Sequence, residues 1–356
     1  MAAVPDSMTG LLKSNPTKSY DLTTLPVPKP ESGELLVKVL RASICGSDIM
    51  LYNWTEGARV IASLPFTPGH ECVAEIVSVG SDVGAEFEVG KRVCCENHYY
   101  CGHCYQCTHD QRHICQNLSQ YGHGKGTVHG GCSQYSIIPA RYAYLLKTSL
   151  DNDIACLLEP FGVAHQACEA LEPSGDTVLV QGCGPIGIFC VALCNLMGAS
   201  KIIVTDIVDD KLELARTFGA TVLVNGLKEN LKEAVMRETG GDGVGRLVEA
   251  SGVAPMLNNC FTLLRKGGTV LAVGLPKAPL HVENPLPDVM FKSLTLRTVH
   301  GRKIFSTWEK SEEILASGKI DISPVITHRF PLTKFEDAFA ALFSGAACKI
   351  ILDPQT

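Results

Sequence analysis

A glycine-rich turn between a strand and a helix constrains the fold of this chain more than any other feature. A short apolar run at 177–180 is typical of a buried strand, and Gly182, Gly184 and Gly187 open the helical run that follows. The first glycine permits a tight bend, the second lets the backbone approach a pyrophosphate, and the third allows close packing of helix on strand. We therefore expect dinucleotide contacts from Gly182, Gly184, Pro185, Ile186 and Gly187.

An acidic residue follows this turn at the position that a ribose-binding carboxylate requires. The run 201–205 predicts a second strand, and Asp206 ends it, 19 residues after Gly187 (206 minus 187). A carboxylate there can accept a hydrogen bond from the ribose 2′-OH and would repel the additional phosphate of NADP, so NAD is the predicted cofactor. The alternative interpretation is an ordinary α/β turn in which the Asp caps a helix.

Two kinds of secondary-structure pattern divide the chain. Before residue 150, short β-like runs broken by Gly and Pro predict an irregular, mostly antiparallel region. After residue 176, further strands are predicted at 220–224, 246–250 and 268–274, with helical runs between them. This alternation predicts an α/β fold with a parallel, doubly wound sheet. Val273, near the end of the last predicted strand, and Arg302 are further candidate cofactor-binding residues.

Four of the sixteen cysteines form a pattern. Cys101, Cys104, Cys107 and Cys115 fall within one lobe at about residues 95–117. Thiolates at these spacings can close a tetrahedron around Zn²⁺. An iron–sulfur site is the competing interpretation, but the bacterial ferredoxin run ends with a three-residue gap and a proline that this segment lacks. Because four thiolates leave no coordination position open, we expect a structural zinc site.

Four dispersed residues are candidates for a second, open metal site: Cys45, His70, Glu71 and Glu159. A lone Cys is usually a core residue, and a lone His is more often a hydrogen-bonded polar group than a ligand. Together, however, their sulfur, nitrogen and oxygen donors would suit Zn²⁺ and leave room for water or a substrate.

Composition and charge indicate a small-molecule partner. The chain has 356 residues, 46% of them hydrophobic, and a formal net charge of -6. This size allows two domains with substantial cores, and the lack of a basic run argues against nucleic acid and anionic membranes as partners. The first residues lack the pattern of a secretory signal, and no apolar run reaches membrane-spanning length, so we expect a cytoplasmic protein.

Several motifs in one order resemble those of a known family. They are the CGSD run that begins at Cys45, the GHE run that ends at Glu71, the four-cysteine lobe, the EPFG run that begins at Glu159, and the glycine turn with Asp206. In this order the chain resembles zinc-containing medium-chain dehydrogenases, specifically the threonine dehydrogenase and sorbitol (polyol) dehydrogenase branch. The resemblance runs nearly end to end.

This resemblance implies a fold and a domain order. We expect a GroES-like, mostly β catalytic domain formed by residues 1–158 and completed by 297–356. A Rossmann NAD-binding domain is inserted between these two parts, at 159–296. A homotetramer or homodimer is expected from the same resemblance, with association partly through edge strands of the Rossmann sheet.

The resemblance also implies a reaction. Cys45 and His70, with Glu71 or Glu159, would hold a catalytic zinc ion that acts as a Lewis acid on an alcohol. Ser47 is the candidate to accept the alcohol's proton, and the C–H hydride then passes to the nicotinamide. Members of the family often carry a relay histidine where Met50 stands here, and Met cannot relay protons. Either water, Glu71 or His98 replaces it, or the geometry of the substrate differs.

Two kinds of secondary alcohol, threonine and polyols, are candidate substrates. The runs 51–54, 301–305 and 324–330, together with His98, are similar to the threonine dehydrogenase type. In that type Arg302 could pair with a substrate carboxylate, although a structural ion pair is an equally simple interpretation. Ser47 favours the polyol type, in which hydroxyl groups could contact Tyr52, Asn53, Glu159 and Arg302. The candidate substrate residues are thus Cys45, Ser47, Tyr52, His98, Glu159 and Arg302.

A non-catalytic, nucleotide-binding relative is the alternative from another functional class. Loss of Cys45 or His70 would have favoured it, and the sequence retains both residues. An enzyme is therefore the preferred prediction.

Overall fold

Two β-sheets of different kinds organise the chain. The computed structural model describes residues 4–345 and 347–356, and these residues divide into two units. Unit 1 comprises the chain up to Glu159 together with Lys303–Gly318 and Ile326–Thr356, and unit 2 comprises Pro160–Arg302 and Lys319–Val325. The strands are β1 Ser7–Leu12, β2 Asp21–Pro26, β3 Glu34–Ser43, β4 Glu71–Val79, β5 Arg92–Cys95, β6 His98–Tyr99, β7 Ser119–Gln120, β8 Tyr135–Pro139, β9 Ala143–Leu145, β10 Thr177–Gln181, β11 Lys201–Asp206, β12 Val222–Asn225, β13 Val244–Glu249, β14 Leu264–Ala272, β15 Thr295–Thr298, β16 Ile326–Pro331 and β17 Lys349–Asp353.

The helices are short. They are α1 Gly46–Asn53, α2 Glu56–Ile61, α3 Tyr105–Thr108, α4 Asn152–Cys156, α5 Leu158–Leu171, α6 Pro185–Leu196, α7 Asp209–Thr217, α8 Leu231–Glu238, α9 Ala254–Asn259, α10 Ser306–Ala316 and α11 Phe335–Phe343. The α5 helix has 14 residues, which at about 1.5 Å per residue is far less than the roughly 30 Å of a bilayer core. Within the described ranges, no helix has the length and apolar character needed to cross a membrane.

Unit 2 contains the predicted parallel sheet. Its strands lie in the order β12-β11-β10-β13-β14-β15, and every neighbouring pair is parallel. The central residues Val178, Leu179 and Val180 of β10 are completely buried, as expected for a strand that helices cover on both faces. The order of the strands reverses between β10 and β13, and the glycine turn follows β10. Ligands of doubly wound sheets bind at such a reversal.

The last strand of this sheet has no hydrophobic signal in the sequence. All four residues of β15 are exposed, yet they pair in register with β14, from Thr269 opposite Thr295 to Ala272 opposite Thr298. An edge strand needs no apolar alternation, which is why periodicity did not reveal it. The expected boundary between residues 296 and 297 falls inside β15, and the structure extends unit 2 to Arg302.

Unit 1 is mostly β, as predicted. Its main sheet has the order β16-β17-β3-β4-β5-β9, and β8 also pairs with β3. The pairs are antiparallel except for β16 with β17. Bulges interrupt the pairing of β3 with β4. The alternating buried residues Leu35, Val37 and Val39 of β3 contribute to the core of the unit.

Two buried carboxylates attach α10 to the rest of unit 1. Glu312 accepts hydrogen bonds from the Tyr144 hydroxyl at 2.7 Å and from the Lys147 and Thr148 N–H groups at 2.9 and 2.7 Å. Trp308, one turn earlier on α10, donates its indole N–H to Glu96 at 2.7 Å. The exposed fractions of Glu312 and Glu96 are only 2% and 0%. These contacts join the segment that follows the unit 2 insertion to residues 96 and 144–148 in the first half of the chain.

We predict that Glu312→Gln lowers the free energy of unfolding by about 1–3 kcal/mol, because the amide has one acceptor oxygen where the carboxylate has two. Denaturant unfolding of the purified protein measures this change. Glu313→Gln is the matched control, since Glu313 is the exposed neighbour on the same helix, and its effect should stay within about 0.5 kcal/mol. Equal losses for the two variants would contradict the anchoring role of Glu312.

Candidate active site

Four thiols of unit 1 lie at the distances that a tetrahedral metal site requires. The Sγ–Sγ distances are 3.5 Å for Cys104–Cys107, 3.7 Å for Cys104–Cys115 and 4.0 Å for Cys101–Cys107. Zinc–sulfur bonds of about 2.3 Å imply a tetrahedral edge of about 3.8 Å, which lies within this range. Helix α3 begins directly after Cys104 and carries Cys107, so the local structure of one segment positions these ligands.

Backbone N–H groups stabilise negative charge on these thiols. A hydrogen bond from the His103 N–H lowers the pKa of Cys101 to about 5, whereas burial raises the pKa of Cys107 to about 12. Cys115 Sγ accepts hydrogen bonds from the N–H groups of Cys101 and Asn117, each at 3.3 Å. All sixteen cysteines are free thiols. Four adjacent thiols without a disulfide, held by N–H donors, fit a divalent cation that neutralises their shared charge.

Cys45, His70 and Glu71 form a second group of possible metal ligands in unit 1. One ligand atom of each residue lies within 4.8 Å of those of the other two. Cys45 is the N-cap of α1 and follows β3, while Glu71 begins β4. Ser43 at the end of β3 pairs with Glu71 in the β3–β4 register. Antiparallel pairing of these two strands therefore brings the two motifs together.

Unsatisfied buried atoms in this second group and in the adjacent Asp48 fit a cation. In the described part of the chain, Asp48 Oδ1, His70 Nδ1 and Glu71 Oε1 are buried and have no hydrogen-bond partner. Asp48 lies on α1, where its Oδ2 accepts the Cys45 N–H at 2.8 Å and its Oδ1 lies 3.6 Å from His70 Nδ1. Burial alone would lower the pKa of His70, but the charges of Asp48 and Cys45 raise it well above its usual value. Negative potential around sulfur, nitrogen and oxygen donors suits Zn²⁺.

The Glu71 carboxylate has one oxygen bound to the protein and one available to a metal. Its Oε2 accepts hydrogen bonds from Ser43 Oγ and Lys349 Nζ, and Lys349 also donates to the Ile44 carbonyl at 3.0 Å. Both Glu71 and Lys349 are buried, with exposed fractions of 0% and 2%. Lys349 could not be predicted as part of this site, because 278 residues separate it from Glu71 and no local pattern connects them.

Other predicted site residues lie outside this second group. Glu159 is buried in the first turn of α5 but is not one of the three clustered side chains. Ser47 is half-buried in the first turn of α1, two residues after Cys45. The structure thus brings Glu71 together with Cys45 and His70, and metal ligation by Glu159 stays a prediction.

Tyr52 belongs to the aromatic core of unit 1. Its ring stacks on Phe339 with centroids 4.2 Å apart and meets Tyr20 edge to face at 5.5 Å. Only 7% of Tyr52 is exposed. The neighbouring Asn53 donates its side-chain N–H to the Ile49 carbonyl at 3.0 Å, within α1. This packing gives no support to the prediction that Tyr52 and Asn53 bind the substrate.

Two buried histidines lie beside these groups. The His123 ring lies at a tilt of 35° beside His70 with centroids 4.9 Å apart, and its Nδ1 donates to the Tyr121 carbonyl at 3.1 Å. Burial, followed by the charge of His70, lowers the pKa of His123 to about 3. His98 lies on β6 with its Nδ1 2.9 Å from Glu96 Oε1. His98 was predicted from the sequence, whereas His123 was not, because no motif surrounds it.

The glycine turn of unit 2 has the close contacts that its pattern predicts. Gly182 adopts a φ of 94°, which favours glycine. A Cβ on Gly187 would lie 1.8 Å from the Gly182 carbonyl oxygen, whereas a Cβ on Gly184 would meet nothing within 4 Å. That open space beside Gly184 is consistent with the close approach of a ligand to its backbone.

Asp206 lies against this turn. Its Oδ2 accepts the Cys183 N–H at 2.7 Å, and its Oδ1 accepts the Ile207 N–H at 2.8 Å. Val273 follows β14 and donates its N–H to the Glu249 carbonyl at 2.9 Å, while Arg302 is completely buried. Their cofactor contacts, like those of the glycines, stay predictions.

We predict two zinc ions per subunit in the purified protein. Cys104→Ser and Cys45→Ser should each retain one ion, and Cys104→Ser should lower the melting temperature more, because a closed structural site contributes folding energy. Elemental analysis and a thermal unfolding scan measure these outcomes. Cys132→Ser, at a buried thiol outside both groups, should retain two ions. One zinc ion in the unmodified protein would contradict the two-site prediction.

We also predict that two glycine substitutions separate stability from dinucleotide binding. Gly187→Ala should lower the melting temperature, since its Cβ would overlap the Gly182 carbonyl oxygen. Gly184→Ala should leave the melting temperature nearly unchanged and weaken NADH binding by at least about tenfold, because the methyl group occupies the space beside the backbone. NADH fluorescence titration measures the affinity. Unchanged affinity in Gly184→Ala would show that the pyrophosphate lies elsewhere.

Comparison with known proteins gives matches along nearly the whole chain. A family model described as an alcohol dehydrogenase GroES-like domain matches residues 31–148, and one described as a zinc-binding dehydrogenase matches residues 185–317. The L-threonine 3-dehydrogenase of Shewanella baltica (strain OS185) is 37% identical over 348 residues, which cover 97% of this chain and 99% of that protein.

Solved structures agree with these matches. A Sinorhizobium meliloti 1021 protein bound to NADP has a TM-score of 0.90 at 26% identity, with 98% of this chain and 100% of that chain covered. An Escherichia coli CFT073 alcohol dehydrogenase complexed with NADH has a TM-score of 0.88 at 28% identity, with the same coverage of 98% and 100%. The chain therefore belongs to the zinc-containing medium-chain dehydrogenase family and is a zinc-dependent alcohol oxidoreductase.

Proposed function

We propose that this chain is an NAD-dependent dehydrogenase that oxidises the secondary hydroxyl of L-threonine to a ketone. The observation that carries this proposal is the group of Cys45, His70 and Glu71, with its unsatisfied Glu71 Oε1, in a chain 37% identical to an L-threonine 3-dehydrogenase. The reaction consumes the alcohol and NAD⁺ and releases the ketone, NADH and one proton.

Residues of unit 1 would bind the metal and move the proton. When bound by Cys45, His70 and Glu71, with or without Glu159, a zinc ion supplies the Lewis acidity that lowers the pKa of a substrate hydroxyl. Ser47 is placed two residues after Cys45 and would accept the hydroxyl proton. His98 would contact the substrate, and Met50, also on α1, leaves further proton transfer to water.

The choice of NAD over NADP rests on Asp206. The carboxylate ends β11, and the glycine turn donates the Cys183 N–H to it. A negative group there attracts the ribose hydroxyls and repels a 2′-phosphate. Similar folds bind either cofactor, as the NADP-bound and NADH-bound structures illustrate, so the preference depends on this side chain and not on the sheet.

Polyols are the alternative substrates. A sugar alcohol needs several hydrogen-bonding partners, and the burial of Tyr52 against Phe339 leaves one fewer of those expected from sequence. An amino acid instead offers an ammonium and a carboxylate as its polar groups, and the relative that is 37% identical to this chain is an L-threonine 3-dehydrogenase. The observations therefore favour L-threonine.

We predict that the purified enzyme reduces NAD at least about tenfold faster with L-threonine than with sorbitol, xylitol, galactitol or 2,3-butanediol, at equal subsaturating concentrations. Absorbance at the NADH band measures the rate, and NADP in place of NAD should give a much lower rate. Faster oxidation of a polyol would overturn the substrate assignment but not the reaction class. If none of these compounds is oxidised, both the L-threonine prediction and the polyol alternative are wrong.

We further propose a homodimer or homotetramer that associates through β15, located in the cytoplasm. Support for association comes from the exposed edge of the unit 2 sheet and from the exposed side chains of Met290, Phe291 and Leu296, with exposed fractions of 67%, 68% and 44%. Apolar groups at an open sheet edge favour pairing with another strand. The sixteen free thiols support the cytoplasmic location, because thiols stay reduced in that compartment.

We predict that Phe291→Asp converts the assembly to a smaller species, because a buried charge is costly at an apolar interface. Analytical ultracentrifugation measures the mass. Leu227→Asp is the control, since Leu227 is 76% exposed and follows β12, at the opposite edge of the same sheet. A parent protein that is already monomeric, or equal changes in the two variants, would contradict association through β15.

A further inference from the structure

Glu249 is a completely buried carboxylate at the end of β13, inside unit 2. Its Oε1 accepts hydrogen bonds from the Ser251 N–H at 2.9 Å, from the Ser251 hydroxyl, and from the Gly252 N–H at 3.2 Å. The Gly252 N–H is shared with Oε2, at 3.4 Å. The Ser251 hydroxyl oxygen in turn accepts the Val253 N–H at 3.1 Å. One carboxylate therefore fixes the backbone of the turn that follows β13.

This turn, residues 250–253, packs directly against the glycine turn that follows β10. A Cβ on Gly182 would lie 2.9 Å from both the backbone nitrogen and the Cα of Ser251, which is too close for a side chain. The Ala250 N–H also donates to the Gln181 carbonyl at 2.9 Å. Glycine at position 182 thus allows the two turns to meet backbone to backbone.

Glu249 also meets the residues that follow β14. Its backbone carbonyl accepts the N–H groups of Val273 and Gly274, each at 2.9 Å. A Cβ on Gly274 would lie 2.6 Å from Glu249 Oε2, so the side-chain carboxylate lies against this segment as well. The segments after β10, β13 and β14 therefore converge around Glu249. They lie at the carboxyl ends of parallel strands, where doubly wound sheets bind their ligands.

We propose that Glu249 is a positioning residue for the dinucleotide, because it holds the 250–253 turn between Gly182 and Gly274 and so shapes the site that these strand ends form. The side chain is completely buried, so it acts through the turn and not by touching the cofactor. This inference rests on the proposed function, in which NAD binds at the glycine turn. A turn that is already held in its binding conformation binds a ligand more tightly than one that must first be ordered.

The main test compares Glu249→Gln with the unmodified protein in NADH titrations followed by fluorescence. Glutamine keeps the size of the side chain, but it has no charge and presents an NH₂ group in place of one oxygen. Because hydrogen bonds to a charged acceptor are about twice as strong as neutral ones, the 250–253 turn loses part of its support. We expect NADH affinity to fall about tenfold, the equivalent of one such bond.

Steady-state kinetics separate positioning of the cofactor from a general loss of structure. KM for NAD should rise about tenfold in Glu249→Gln, in parallel with the loss of NADH affinity. The value of kcat at saturating NAD should change less than about twofold, because the metal ligands belong to unit 1 and are unaltered. A fall in kcat with an unchanged KM for NAD would overturn the positioning role.

Asp176→Asn is the matched control. Asp176 is also a buried carboxylate of unit 2, and its Oδ2 lies 2.9 Å from Arg265 Nη2 and 3.3 Å from Arg246 Nη1. It directly precedes β10, at the opposite end of the strand from the glycine turn. The control should lower the melting temperature, because it weakens two ion pairs, but NADH affinity should stay within about twofold of the unmodified value. Equal losses of NADH affinity in the two variants would overturn the inference.

Hydrogen exchange of the unliganded protein tests the turn without any cofactor. The amide protons of Ser251 and Gly252 should exchange at least about tenfold faster in Glu249→Gln than in the unmodified protein or in Asp176→Asn. Ser251→Ala keeps the inference testable if Glu249→Gln does not fold. It removes only the hydroxyl donor, so NADH affinity should fall in the same direction but by only about two- to threefold.

The outcomes distinguish this inference from the proposed function. Unchanged NADH affinity in Glu249→Gln, or in Ser251→Ala where the former does not fold, would overturn the inference and leave the proposed function intact. The expected losses of NADH affinity without oxidation of L-threonine would instead refute only the proposed substrate. If the unmodified protein does not bind NADH, the proposed cofactor is wrong and the inference is overturned with it.

Discussion

The ion pair between Lys349 and Glu71 is the interaction on which the candidate catalytic metal centre depends. It lies in the interior of unit 1 and joins the first residue of β17 to the first residue of β4. Burial alone would lower the pKa of Lys349, but the charge of Glu71 raises it above its usual value. Removal of one partner from such a pair costs about 3–5 kcal/mol, because the other is left buried and uncompensated.

This pair also orients the carboxylate. With Oε2 occupied by Lys349 and Ser43, only Oε1 remains without a partner, and it lies with Cys45 and His70. Ser43, Glu71 and Lys349 lie on β3, β4 and β17, and β3 pairs with both of the other strands. Cys45 and His70 directly adjoin β3 and β4 in the chain. A rigid antiparallel sheet thereby positions ligands that come from separate parts of the sequence. Sites built on such elements retain their geometry better than sites on loops.

The two groups of metal ligands differ in how they are assembled. The four thiols come from one short segment, and their spacing is nearly sufficient to specify a closed site. The second group requires the folded sheet of unit 1, and it leaves a coordination position for a substrate when only three donors bind. The four thiols are therefore suited to a structural zinc ion, and the group of Cys45, His70 and Glu71 is suited to a catalytic one. The surroundings of His98 combine both kinds of assembly. Its partner Glu96 comes from the same segment of sequence, whereas Trp308, which donates to Glu96, comes from α10.

The sequence by itself determined the features whose signals are local. The strand, the three glycines and Asp206 predicted the parallel sheet of unit 2 because a tight βα turn allows few residues at its critical positions, such as Gly187 beside the Gly182 carbonyl. The spacing of Cys101, Cys104, Cys107 and Cys115 predicted their cluster for the same reason, and the motifs at Cys45 and His70 predicted the family.

Only the tertiary structure decided which distant side chains meet. It clustered Glu71 with Cys45 and His70, without Glu159, placed Tyr52 in the aromatic core, added the exposed strand β15 to the sheet, and brought Trp308 to Glu96 and Lys349 to Glu71. Strand pairing and core packing between segments more than 200 residues apart produce the last two contacts. Such contacts depend on the register of whole sheets, and no pattern within a short stretch of sequence records that register.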